Sequence, residues 1–126
     1  MIDKIKKARN DLLKYCHHSD CNEINECPQW HDKCEKRLGL DTAIAWITFK
    51  LTNRLLMIIR SKRYSLKTKF QAIEDYLDQI ALLIIITDLH RGQYEDLYNI
   101  LHTLFNSVED LKNEIPFLTK LKNSNL

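Results

Sequence analysis

From Ile2 onward, Ile5, Ala8 or Arg9, Leu12, Leu13 and Cys16 fall at spacings of three and four, with Lys4, Lys6, Lys7 and Lys14 off that stripe. A period near 3.6 residues marks an amphipathic helix, here predicted over residues 2–16. The polar run HHSDCNEINE breaks the period and reads as a loop. Pro28 then suits the first position of a second helix, where its missing N–H is not needed. That helix can run to about Lys62, with Gly39 and the pair Asp41-Thr42 as interruptions and Asp41 as a fresh cap. Ile44, Ile47, Leu51, Leu55 and Ile58 form its stripe. Trp46, Phe49, Leu56 and Ile59 broaden it, as expected of a central helix or of one at a subunit interface.

SKRYS, at 61–65, is the next connection, and Ser65 is the cap of a third helix that turns Phe70, Ile73, Leu77, Ile80, Leu83 and Ile84 inward. This helix is expected to stop near His90, with Gly92 following. The fourth starts about Gln93, carries Tyr94, Leu97, Tyr98, Leu101, Leu104, Phe105, Val108 and Leu111 on one face, and ends at Pro116. The remainder, FLTKLKNSNL, reads as a tail.

These elements predict an all-α protein, an antiparallel up-down four-helix bundle over residues 1–114 with a C-terminal tail over 115–126. Two glycines and two prolines in 126 residues are too few for a many-turned β protein, and this length fits one domain with its own core. The longest apolar run, IALLIII, has seven residues against the roughly 20 of a membrane span, so no membrane is expected. The start, MIDKIKKARNDLLKYC, is charged throughout and has no secretory apolar region. A cytoplasmic, reducing location is the expectation.

Charge changes the picture. The formal net charge is only +2, yet no acidic residue lies between Asp41 and Glu74, where Lys50, Arg54, Arg60, Lys62, Arg63, Lys67 and Lys69 stand. Residues 20–35 are the reverse, with Asp20, Glu23, Glu26, Asp32 and Glu35 against Lys33. A basic block without internal counter-charge points to a polyanion or an acidic protein surface, the bland alternative being a solvated face neutralised by neighbouring helices. Tyr64, inside the block, either stacks on an unpaired base or anchors the turn.

The stretch CHHSDCNEINECPQWHDKC holds all four cysteines and three of the five histidines. If Pro28 opens a helix, Cys27, His31 and Cys34 share one face, and Cys21 or Cys16 can complete a tetrahedral zinc site; Cys21, Cys27, His31 and Cys34 are the candidate ligands. The tight C-x2-C knuckle of classical zinc modules is missing. The expectation is reduced, unligated thiols that pack as small hydrophobes, with no cofactor. Zinc is the alternative, and a disulfide is weaker still, since Cys27 and Cys34 on one helix would be about 10 Å apart, beyond disulfide reach.

Catalytic chemistry finds little support. The glycines stand singly, there is no helical HExxH, and Arg9-His17 and Arg91-His102 are separated too widely for the arginine–histidine pair of helical nucleases. A Cys34–His31 dyad would need an oxyanion hole and a cleft. Glu74-Asp75 and Glu95-Asp96 are adjacent on helices and diverge. His90 reads as a cap-region residue and His102 as a helix-surface one. The expectation is a protein that is not an enzyme.

The segment RYSLKTKFQAIEDYLDQIALLIIITDLHRGQYEDLYNILHTLFNSVEDLK, with a leucine-rich third helix, a short turn and Gln93-Tyr94-Glu95-Asp96-Leu97 opening the fourth, carries a further signal. It resembles the second half of a bundle family. That family comprises the accessory variability determinant proteins of diversity-generating retroelements and the proteins of intervening sequences in bacterial large-subunit ribosomal RNA. This chain departs from the family pattern at Cys27-Pro28-Gln29 and at Leu104 to Val108. The resemblance implies a homo-oligomer, a pentameric ring, that binds structured RNA and a reverse transcriptase through basic side chains and performs no catalysis. The alternatives are a protein-interaction adaptor or inhibitor from a mobile element or virus, and a small zinc-stabilised helical module.

Overall fold

In the computed structural model the described residues are 2–15 and 40–124, with side chains to Glu114. They form an all-α helical bundle: α1 (Ile2–Asp11), a 3-10 turn (Leu12–Tyr15), α2 (Leu40–Arg60), α3 (Leu66–Asp88) and α4 (Glu95–Ser124). α3 packs most extensively on α4, α1 lies on α4 and α2, and the 3-10 turn leans on α2. Pro28, Gly39 and the loop expected at 17–26 lie outside the described residues.

α1 turns Ile5, Ala8 and Leu12 into the core, as its period requires. Arg9 is half-buried at the seam with α2, where its Nη1 donates to Asn53 Oδ1 at 3.1 Å. Burial lowers its pKa.

α2 departs from expectation by one residue of rotation. Its core face is Thr42, Ile44, Ala45, Thr48, Phe49, Thr52, Leu55 and Leu56, whereas Ile47 is exposed and Leu51 and Ile58 are half-buried. Relative to the isoleucine–leucine stripe, the inward face is turned by about 100°, the step of one residue. The reason is local. Thr48 Oγ1 donates to the Ile44 carbonyl at 2.8 Å and Thr52 Oγ1 to the Thr48 carbonyl at 2.7 Å, so the hydroxyls are satisfied within their own helix. A threonine so bonded presents its methyl group, and its small volume lets a neighbouring helix approach closely.

The same rotation sets the contact with α3. Since the Thr52 hydrogen goes to Thr48, the Tyr76 phenol donates to Thr52 Oγ1 across 2.8 Å inside the core. Burial holds the Tyr76 phenol well above the ordinary tyrosine pKa. By length and composition alone α2 could cross a membrane, yet 44% of its most apolar window is buried inside the bundle. Trp46, Ile47 and Met57 are left on its outer side.

Ser65 caps α3 as predicted, accepting from the Thr68 N–H at 3.2 Å and donating to Thr68 Oγ1 at 3.0 Å. Ile73, Tyr76, Leu77, Ile80 and Thr87 of α3 are buried, with Phe70, Leu83 and Ile84 at the margin. The α3 stop is not made by a left-handed glycine. Leu89 ends the helix in right-handed conformation, and three-residue bonds from His90 to Thr87 and from Arg91 to Asp88 turn the chain. Gly92 keeps an ordinary φ, and a Cβ there would meet nothing within 4 Å.

Leu97, Ile100, Leu101, Leu104 and Val108 carry the core side of α4. Its second half meets the start of α3, with Lys112 Nζ 3.6 Å from Glu74 and 5.7 Å from the Phe70 ring centroid. The helix does not end at Pro116 but continues to Ser124. A proline deletes one N–H, the donor to the carbonyl four residues back, and the bonds on either side can still form.

Two stability predictions follow from this packing. Thr52→Val leaves the Tyr76 hydroxyl buried without an acceptor and should cost about 1–3 kcal/mol, while Tyr76→Phe should cost about 0.5–1.5. In urea unfolding the double variant should then be more stable than Thr52→Val alone. Gly92→Ala should be neutral or stabilising by up to about 1 kcal/mol, where a left-handed glycine would have made it harmful.

Candidate functional site

α2, α3 and α4 are charged differently at their ends. α1 has Asp3 in its first turn, α2 has Asp41, and α4 has Glu95 and Asp96. Each acid faces the positive end of its helix dipole, a favourable arrangement. Asp41 also accepts from the Thr42 N–H at 2.8 Å. α3 has no acid in its first turn and carries Lys67 and Lys69 there instead.

The α2–α3 turn brings more cations to that same end. Arg60 closes α2, where a cation suits the negative dipole end, and Lys62 and Arg63 stand in the turn itself. Arg60, Lys62, Arg63 and Lys67 are exposed and Lys69 is half-buried. Tyr64 lies in the turn with 44% of its surface exposed, so part of its ring is open to a ligand. The result is a corner of five cations around one aromatic ring and one helix N-terminus.

Lys50 and Arg54 are not part of that corner. They lie mid-way along the outer face of α2 with Trp46, Ile47, Leu51, Asn53 and Met57. Lys50 sits over the Trp46 ring at 4.5 Å. Arg54 shares a shallow cleft between α2 and α3 with Asp75, whose carboxylate accepts from Gln71. Arg54 and Arg60 point about 120° apart around the helix axis. Arg9 borders this face through its bond to Asn53. Its contribution was hidden from the sequence because it comes from a helix 44 residues away.

Among the described residues none of the seven predicted cations forms an ion pair; the described salt bridges are Lys14–Asp96 at 3.4 Å and Lys112–Glu74 at 3.6 Å. The opposite end of the bundle is acidic, with Asp41, Glu95 and Asp96 gathered beside Tyr15. There the Tyr15 phenol is pushed up to about 12, first by burial and then by the carboxylates of Asp96 and Asp41.

The zinc candidates Cys21, Cys27, His31 and Cys34 lie outside the described residues, as do Cys16, His17 and His18. Among the described residues no group of three metal-binding side chains comes together. His90 is exposed in the turn after α3. His102 is not simply a surface residue: it packs on Tyr98 at 4.4 Å, and its Nε2 is buried without a hydrogen-bond partner. Compared with known proteins, the chain matches no family model, no curated sequence and no solved structure.

Lysine at the positive end of a helix dipole lowers stability unless an anion offsets it. Lys67→Glu should therefore raise unfolding stability by about 0.3–1 kcal/mol at low ionic strength, a gain that shrinks as salt is added. Thermal unfolding of both proteins across a salt series checks this.

Proposed function

We propose that this chain is a non-enzymatic binding protein that holds RNA at the corner formed by Arg60, Lys62, Arg63, Lys67 and Lys69. One observation carries the reading: five cations gather around the α2–α3 turn and the positive end of α3, and among the described residues no carboxylate pairs with any of them. Such an arrangement is unfavourable in the isolated chain and becomes favourable when phosphates occupy it.

Two features favour a nucleic acid over an acidic protein. The cations are spread over a helix end, a turn and a first helical turn, so they suit an anion that passes by in a line. Exposed Tyr64 offers a stacking plane for a base splayed out of a single strand or loop, a mode typical of RNA recognition. Lys50 and Arg54 form a separate patch, mixed with Trp46, Ile47 and Met57, and serve as a secondary contact in this reading. The resemblance of residues 63–112 to retroelement accessory proteins supports the finer version, in which the RNA belongs to a retroelement and a reverse transcriptase is the protein partner.

Purified protein should retain RNA at low salt. Arg60→Glu combined with Lys62→Glu and Arg63→Glu should abolish retention, with helicity by circular dichroism unchanged. Tyr64→Ala should weaken a single-stranded RNA more than a duplex, by about 1–3 kcal/mol for the lost stack. Equal RNA binding by the triple variant would reduce the corner to a solvated face. A partner captured equally well from nuclease-treated lysate, and lost with the same triple variant, would assign the corner to an acidic protein instead.

A further inference from the structure

The second half of α3 carries a feature that RNA binding does not use. Leu82, Ile85, Ile86 and Leu89 are 62%, 58%, 39% and 76% exposed. Their spacing of three, four and seven puts them on one face of the helix. From Gln79 to Thr87 the sequence holds no charge. Large aliphatics in an unbroken row facing water are costly, and single proteins seldom leave contiguous apolar patches beyond a few hundred Å².

The strip is self-complementary. Leu82 and Leu89 stand equally far from the midpoint between Ile85 and Ile86. A two-fold axis through that midpoint, perpendicular to α3, therefore lays the strip on its own copy in antiparallel register. Leu82 then meets Leu89 of the partner subunit, and Ile85 meets Ile86 of the partner subunit. The charges at its ends agree with this register. Asp78 lies four residues before Leu82 on the same face, while exposed Asp88 flanks the strip and exposed His90 and Arg91 follow Leu89, with the Arg91 guanidinium 4.5 Å over the Tyr98 ring. The two-fold brings each Asp78 towards the end where the second copy carries its His90 and Arg91, whereas parallel pairing would set Asp78 against its own copy. Asp75 and Asp78, extending the same face, also repel the phosphates of RNA or of an anionic lipid surface.

We infer that the strip Leu82, Ile85, Ile86 and Leu89 is a homodimer contact in which α3 pairs antiparallel with α3 of a second copy through an isologous interface. Such a pair is an assembly of two copies in place of the pentameric ring that the resemblance implies. One helix face is small beside the roughly 1,200–2,000 Å² of standard stable interfaces, so the dimer is weak and concentration-dependent.

Sedimentation equilibrium of the full chain from low to high micromolar concentration tests this. The mass should rise from 15.0 kDa towards twice that value and level off there. Leu82→Glu alone and Leu89→Lys alone should each weaken the dimer at least tenfold. The double variant Leu82→Glu/Leu89→Lys should recover it, because the antiparallel register sets the two introduced charges opposite each other at both ends of the contact. Thermal midpoints of the single variants should stay within a few degrees of the parent, since both positions are exposed. Four results overturn the inference. They are a monomer at every concentration, a plateau at any mass other than two copies, a double variant weaker than both singles, and single variants that unfold the chain.

Discussion

The rotation of α2 about its own axis decides which side chains this protein offers to the outside. Threonines bonded within their own helix allow it, and the buried Tyr76–Thr52 hydrogen bond locks it. With the Tyr76 phenol on Thr52 inside the core, Thr42, Thr48 and Thr52 must face inward. Trp46, Lys50, Arg54 and Met57 must then face out. The threonines tolerate this because two of them return their hydroxyl hydrogens to their own helix. A stripe of isoleucine and leucine in their place would bury more apolar area and would turn the outward face by one residue. The polar interior of α2 is thus tied to the composition of its exterior.

Electrostatics then divides the bundle lengthwise. Acids at the starts of α2 and α4 complement the helix dipoles at one end, and Lys14 reaches Asp96 there. At the other end, the start of α3 has cations where the dipole favours anions. In the proposed function an external anion offsets that corner. If α3 also pairs with a second copy through its apolar half, the two corners stand at opposite ends of the pair, about 60 Å apart at 1.5 Å per helical residue. A long polyanion touching both would bind with an avidity that neither corner has alone.

Much of this was legible in the chain. Period and capping placed α3 and the start of α4 to within a few residues, and the charge run from Lys50 to Lys69 marked the cations. α3 stops near His90 as expected, through tight three-residue bonds at His90 and Arg91. What failed did so for physical reasons. Hydropathy ranks threonine as polar, so a threonine whose hydroxyl is consumed by its own helix was not seen as core, and the inner face of α2 was misplaced by one residue. Pro116 suggested a helix end where α4 continues to Ser124. The single charge block divided into a corner and a separate mid-helix patch because six residues along α2 turn the side chain away. Linear proximity could not show that.

The central claim is that the corner neutralises phosphates, and its most direct measure is the salt dependence of binding. For a single-stranded RNA, log K should fall with log salt at about −0.7 per phosphate engaged, so five cations predict a slope near −3.5. A slope shallower than about −1 would mean that the corner engages at most one phosphate, and would contradict the account.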